Sequence, residues 1–154
     1  MKVKDVIKKE VMTVKRSTSL RSLMNLFKDF HALPIIPVVD EEGLLIGVVA
    51  LSNLMDILKP PQVKMLKKIP FAEIDETVFD LEPAPAMGEL ILADDIMETH
   101  FLSLDQEVSL AEAYKFMRLH RTDQFPVVDS SNHLLGIVGV FDIVRRMFKE
   151  KGII

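Results

Sequence analysis

The sequence predicts a mixed α/β (α+β) protein built from two copies of one β-α-β-β-α unit. Three observations lead there. The phrase Ile36-Pro37-Val38-Val39-Asp40 returns as Phe125-Pro126-Val127-Val128-Asp129. Gly47 and Val49 return at the same offset as Gly136 and Val138. Within each copy the hydrophobic period passes in the same order from extended to helical and back to extended.

Each copy opens on a few extended residues, Val11-Met12-Thr13-Val14 in the first, with Thr13-Val14 standing where Ser103-Leu104 stands in the second. Leu20, Leu23, Met24, Phe27 and Phe30 then recur at helical spacing, behind a candidate cap at Ser19. The second copy repeats this with Leu110, Ala113, Tyr114 and Met117 behind Ser109. Ile35 to Val39 and Leu44 to Ala50 flank the polar turn Glu41-Glu42-Gly43 and predict a hairpin, with DSSN as the turn of its counterpart. The runs are apolar throughout, so both faces of each hairpin are expected to be covered. Closing helices are expected at 53–58 and 142–148. Lys4-Asp5-Val6-Ile7 resembles Asp94-Asp95-Ile96-Met97 at an offset one residue longer, so one copy carries a length change before its proline. The division read from this is 1–58, a connector at 59–92 and 93–154. The connector holds Pro60, Pro61, Pro70, Pro83 and Pro85, with room for two helical turns at 62–69.

Of 154 residues 49% are apolar, which supports a packed core, and the formal net charge is −4, which speaks against a nucleic-acid partner. With no cysteine, disulfide and thiolate chemistry are excluded. The most apolar run, 44–58, is interrupted by Ser52, Asn53 and Asp56, and MKVKDVIKKEV offers no signal-peptide core, so a cytoplasmic protein without a membrane partner is expected. His31, His100, His120 and His133 lack helical metal-ligand spacing, and no nucleophile–base set or phosphate loop is legible, so neither a metal nor an enzymatic activity is expected.

The doubled phrase, the turn and the order of elements resemble a pair of cystathionine-β-synthase (CBS) domains over all but the connector. The resemblance implies two repeats packed sheet to sheet about a pseudo-two-fold axis. It implies a regulatory module that binds an adenine compound (AMP, ADP, ATP or S-adenosylmethionine) in clefts between repeats, needs no cofactor, signals by conformational change to an unknown effector protein, and forms a homodimer. The alternative is a structural homodimerisation module whose pockets have degenerated.

The ligand motif of such domains runs Gly, two apolar residues, Thr or Ser, two residues, Asp, the acid accepting ribose hydroxyls. Here Gly47-Val48-Val49 is followed by Ala50, and Asn53 replaces the acid. Gly136-Ile137-Val138 is followed by Gly139, and Asp142 is retained. The resemblance therefore implies a better site around Asp142 and Gly139, with Phe141, Phe101, Leu102, Ser103, Thr122, Gln124, Phe125 and Pro126 as lining. His120, Arg121 and Arg145 are candidates for a phosphate. The weaker site would hold Asn53, Ala50, Met12, Thr13, Val14 and residues 33–37, Ile36 and Pro37 among them. Asp142 also stands where a helix cap belongs, and Asn53 more so.

Overall fold

The computed structural model describes residues 1–29, 35–57 and 85–154. Expectations for Phe30, His31, Leu33, Pro34, Leu58 and the connector through residue 84, its helical turns included, lie outside the described residues.

In the first repeat the Ser19 hydroxyl accepts from the Ser22 N–H at 3.2 Å and starts the helix Leu20–Leu26, which tightens into a 3₁₀ turn at Phe27–Asp29. Leu20, Leu23 and Phe27 are buried, but Met24 is 50% exposed, because it lies a residue off that stripe. Strands β1 (Ile35–Val39) and β2 (Leu45–Ala50) form the expected antiparallel hairpin, Ile35 opposite Ala50 and Val38 opposite Gly47. Asp40 folds its turn by accepting from the N–H groups of Glu42 and Leu44, both at 2.9 Å. The expected closing helix is instead a 3₁₀ turn that begins earlier, Leu51–Asp56.

The second repeat is more regular. Strand β3 (Leu104–Asp105) runs parallel to β4 (Gln124–Val128), which pairs antiparallel with β5 (Leu134–Gly139). The helix Leu110–His120 carries a reciprocal cap: the Ser109 hydroxyl accepts from the Glu112 N–H, and Glu112 accepts from the Ser109 N–H. The helix Val140–Glu150 overruns the expected 142–148 at both ends. The first repeat's opening strand shrinks to one bridge, Val14 beside Val38, and the Lys15 N–H that follows donates to the Thr18 hydroxyl.

The hydrophobic cores divide the chain differently from the sequence repeats. Val3 is fully buried among Leu104, Leu110, Ala113, Phe125 and Ile143, in the core of the second repeat. Ala93 and Ile96 pack with Val14, Leu23, Ile36 and Val49, in the core of the first. Each lead-in thus crosses to the opposite unit. Behind Val3, Lys8 exchanges both backbone hydrogen bonds with Ile137, at 2.9 and 3.1 Å. Behind Ile96, Glu98 does the same with Val48, at 2.8 and 3.1 Å.

This crossing accounts for the repeated glycines. A Cβ on Gly136 would stand 2.2 Å from the Lys8 carbonyl oxygen, and one on Gly47 would stand 2.6 Å from Met97 Sδ. The crossing also shows the pseudo-two-fold axis, since Lys8–Ile137 and Glu98–Val48 are equivalent pairs. On the axis itself, Leu44 bridges its own counterpart His133, and Asn132 Nδ2 donates to the Leu45 carbonyl at 3.0 Å. Among the described residues no helix is long and apolar enough to cross a membrane.

Candidate functional site: a cleft on the seam between repeats

Both hairpins and one lead-in contribute to a cleft of about 240 Å³. The first repeat supplies Ile35, Val48 and Ala50; the second supplies Thr122, Gln124, Phe125 and Pro126; the crossing segment supplies Glu98, His100, Phe101 and Leu102. The strands place these residues at their open ends, where Ile35 pairs with Ala50 and Gln124 with Gly139. The walls are mainly apolar, with a carboxylate, an imidazole, an amide and a hydroxyl interspersed, which is the make-up of a small-molecule pocket.

The expected site residues are only partly gathered here. Phe101, Leu102, Thr122, Gln124, Phe125 and Pro126 line the cleft, and so does Ala50, which was assigned to the other site. The lead-in that meets Ala50 and Asn53 therefore belongs to the second repeat, whereas the sequence reading grouped Thr13 with them. Thr13 is exposed, and Ile36 and Pro37 are buried within the sheet. Ser103 faces another hollow with Leu104, Glu112 and Phe116. His120 packs edge-on against Phe116, ring centres 4.4 Å apart. Arg121, in the left-handed conformation that ends its helix, lines a groove with Tyr114, Arg118 and Thr122. Phe141 is 71% exposed.

Asp142 lines a separate groove of about 190 Å³ with Asp5, Val6, Arg145, Arg146 and Lys149. It is the third residue of its helix rather than the cap, and its Oδ2 accepts from the Gly139 N–H at 3.0 Å. Lys8, on the crossing segment, brings its ammonium 3.7 Å from Asp142 Oδ1. Asn53 is placed in the same way in its own turn. Its Oδ1 accepts from the Ala50 N–H at 2.7 Å, and its Nδ2 donates to Glu98 Oε1 at 3.0 Å. Asn53 is 4% exposed. The three-residue step from Ala50 to Asn53 and from Gly139 to Asp142 is the step a side chain needs to reach back across one helical turn.

Glu98 and His100 were missed by the sequence reading. A signal for Glu98 was present: the offset that sets Lys4-Asp5-Val6-Ile7 on Asp94-Asp95-Ile96-Met97 sets Lys8 on Glu98.

The sequence matches the CBS domain family at residues 3–60 and again at 93–149. Inosine-5'-monophosphate dehydrogenase of Methanocaldococcus jannaschii is 23% identical over 94% of the chain, which spans only 23% of that relative. An uncharacterised protein of the same organism, MJ1404, is 28% identical over 94% of the chain, which spans 31% of it. Among solved structures, CBSX2 of Arabidopsis thaliana in complex with AMP superposes with a TM-score of 0.70 at 21% identity, covering 97% of this chain and 98% of that one. The CBS domain pair of MJ0100, in complex with 5-methylthioadenosine and S-adenosyl-L-methionine, gives 0.64 at 20% identity, covering 98% of each chain. The chain belongs to the CBS-domain family, as a tandem pair.

Proposed function

We propose that this chain is a ligand-sensing regulatory module that takes an adenine compound between its repeats and passes the event on as a change in their relative arrangement. The observation that carries the reading is the cleft itself, whose apolar walls and few polar groups come from both repeats and the crossing strand, so an occupant touches both units at once. A ligand that favours one arrangement of the two hairpins shifts the population toward it. CBSX2 with AMP and MJ0100 with 5-methylthioadenosine and S-adenosyl-L-methionine support an adenine compound. The groove around Asp142, with Arg145, Arg146 and Lys149, has the cations that a phosphate requires and is the candidate second site. The module would act in a homodimer: Phe141, Val144 and Phe148 recur on one face of the helix Val140–Glu150, and Phe141 and Phe148 are exposed. Its effector, its location in the cytoplasm and its freedom from catalysis belong to the same reading.

Thermal shift with AMP, ADP, ATP, S-adenosylmethionine and NAD tests it. A ligand that binds only the folded chain adds roughly 2.7 kcal/mol at a hundred times its Kd. A flat response to all five, confirmed by calorimetry, overturns the reading. It would leave the module as a structural dimer whose pockets have degenerated, a reading that the amide in place of an acid at position 53 favours.

A further inference from the structure

The pseudo-symmetric positions 8 and 98 carry opposite charges, and the residues they face differ accordingly. On one side Lys8 stands beside Asp142, a cation against an acid. On the other Glu98 stands beside Asn53, an acid against an amide. The acid absent at position 53 is present 45 residues away, on the strand that crosses over from the other repeat. Its backbone is pinned by two hydrogen bonds to Val48, its Oε1 is held by Asn53, and it lines the seam cleft. Asn53 itself has little surface to offer a ligand: it is 4% exposed, it is absent from the cleft lining, and its oxygen and nitrogen each already hold one bond, to the Ala50 N–H and to Glu98. A carboxylate presents about four lone-pair positions, and among the described residues Asn53 is the one hydrogen-bond partner Glu98 has through its side chain.

We propose, resting on the ligand reading above, that Glu98 is the carboxylate that receives the ribose hydroxyl pair of a nucleoside-class ligand in this cleft, with Asn53 as the positioning residue that aims it. The arrangement transfers the hydroxyl-accepting role from the repeat's own turn to the incoming strand. It also makes the two sites chemically unlike. The Asp142 groove has three cations in its lining, whereas among the described lining residues of the seam cleft there is no lysine or arginine.

The test is a titration of the full chain with adenosine and with 2′,3′-dideoxyadenosine, read by NMR at the methyl groups of Ile35, Val48 and Leu102, which report the seam cleft and not the Asp142 groove. Wild type is expected to hold adenosine about tenfold more tightly, the low end for hydrogen bonds to a charged group at a solvent-facing site. Glu98→Gln keeps an oxygen for Asn53 and removes the charge. It is expected to weaken adenosine by about the same factor and to leave dideoxyadenosine unchanged. Glu98→Asp, which shortens the reach, is expected to weaken adenosine as well, and Asp142→Asn to leave the ratio of the two nucleosides as in wild type. If Glu98→Gln weakens both nucleosides equally or neither, or if Asp142→Asn is the change that abolishes the discrimination, Glu98 does not have this role while the ligand reading stands. If neither nucleoside moves the cleft methyls while AMP or S-adenosylmethionine does, Glu98 does not have this role and the ligand reading stands; if none of the four moves them, both fall.

Discussion

Replacing Gly136 by alanine is the sharpest probe of the segment exchange. The added Cβ would sit 2.2 Å from the Lys8 carbonyl oxygen and 3.0 Å from its carbon. Both are backbone atoms, so no side chain can rotate away, and the crossing strand itself must retreat by more than 1 Å to reach ordinary contact. Overpacking of this kind costs about 1–3 kcal/mol. The retreat also stretches the Lys8–Ile137 hydrogen-bond pair, worth about 0.5–1.5 kcal/mol for each bond lost. The expected loss is about 2–4 kcal/mol. Gly47→Ala is the internal control, because its closest contact is Met97 Sδ at 2.6 Å, the flexible part of a side chain, with the Glu98 carbonyl at 3.2 Å. That change should cost about 1 kcal/mol. At about 2–4 °C per kcal/mol for a chain of this size, calorimetry should show Gly136→Ala melting roughly 4–16 °C below wild type and Gly47→Ala only a few degrees below. Equal, small shifts for the two variants would mean that the Lys8 strand does not lie against Gly136 in solution, and the exchanged packing would be refuted.

Other consequences are independent of that contact. Ser109→Ala removes one arm of the reciprocal cap on the helix Leu110–His120 and should lower stability by about 1 kcal/mol in urea denaturation, with the helical far-ultraviolet signal otherwise kept. Asp142→Ala loses the bond to the Gly139 N–H, again about 1 kcal/mol, and should weaken AMP at the second site, the groove around Asp142, at least tenfold by calorimetry while the seam cleft still binds; an unchanged AMP isotherm would confine Asp142 to its bond with Gly139. Hydrogen bonds from Lys2, and then Lys4, hold the Glu107 carboxyl below its ordinary value of 4.5. A folded value below the unfolded one gives stability that is present above 4.5 and lost as pH falls through the folded value. Glu107→Gln should therefore flatten the acid limb of the stability profile, and added salt should flatten it in wild type, because the pairs are exposed. If the proposed homodimer forms through the face of Phe141 and Phe148, Phe148→Asp should leave only monomer in sedimentation without lowering the melting temperature of the isolated chain by more than a few degrees.

Local rules made most of the elements legible. Ile35–Val39 was readable to the residue, because a β-branched run ended by an Asp that folds its own turn allows few alternatives. Ser19 and Ser109 were readable as caps because a hydroxyl ahead of an apolar helical stripe has one economical use. What could not be read was which lead-in serves which core. Val3 and Ala93 are small apolar residues in equivalent places, and either core would accept either of them; the choice is set by tertiary geometry and leaves no local mark. The make-up of the seam cleft was hidden for the same reason, since Glu98 crosses to Val48 and Asn53 while Val14 stays beside Val38 of its own repeat.

That crossing bears on how one duplicated unit can hold two different sites. If each repeat built its own pocket from its own strand, divergence at Asn53 would simply have left that pocket without an acid. Because each pocket is closed by the other repeat's lead-in, position 98 is the one that faces Asn53 and position 8 the one that faces Asp142. Glu98 and Lys8 are equivalent in the repeat and opposite in charge, each matched to the group across from it. The same crossing ties each lead-in into the opposite unit's core. Glu98 follows directly on a turn whose Ala93 and Ile96 are packed in the first repeat's core, so under the proposed function a ligand held by Glu98 would bear on that interior and not only on the rim of the seam.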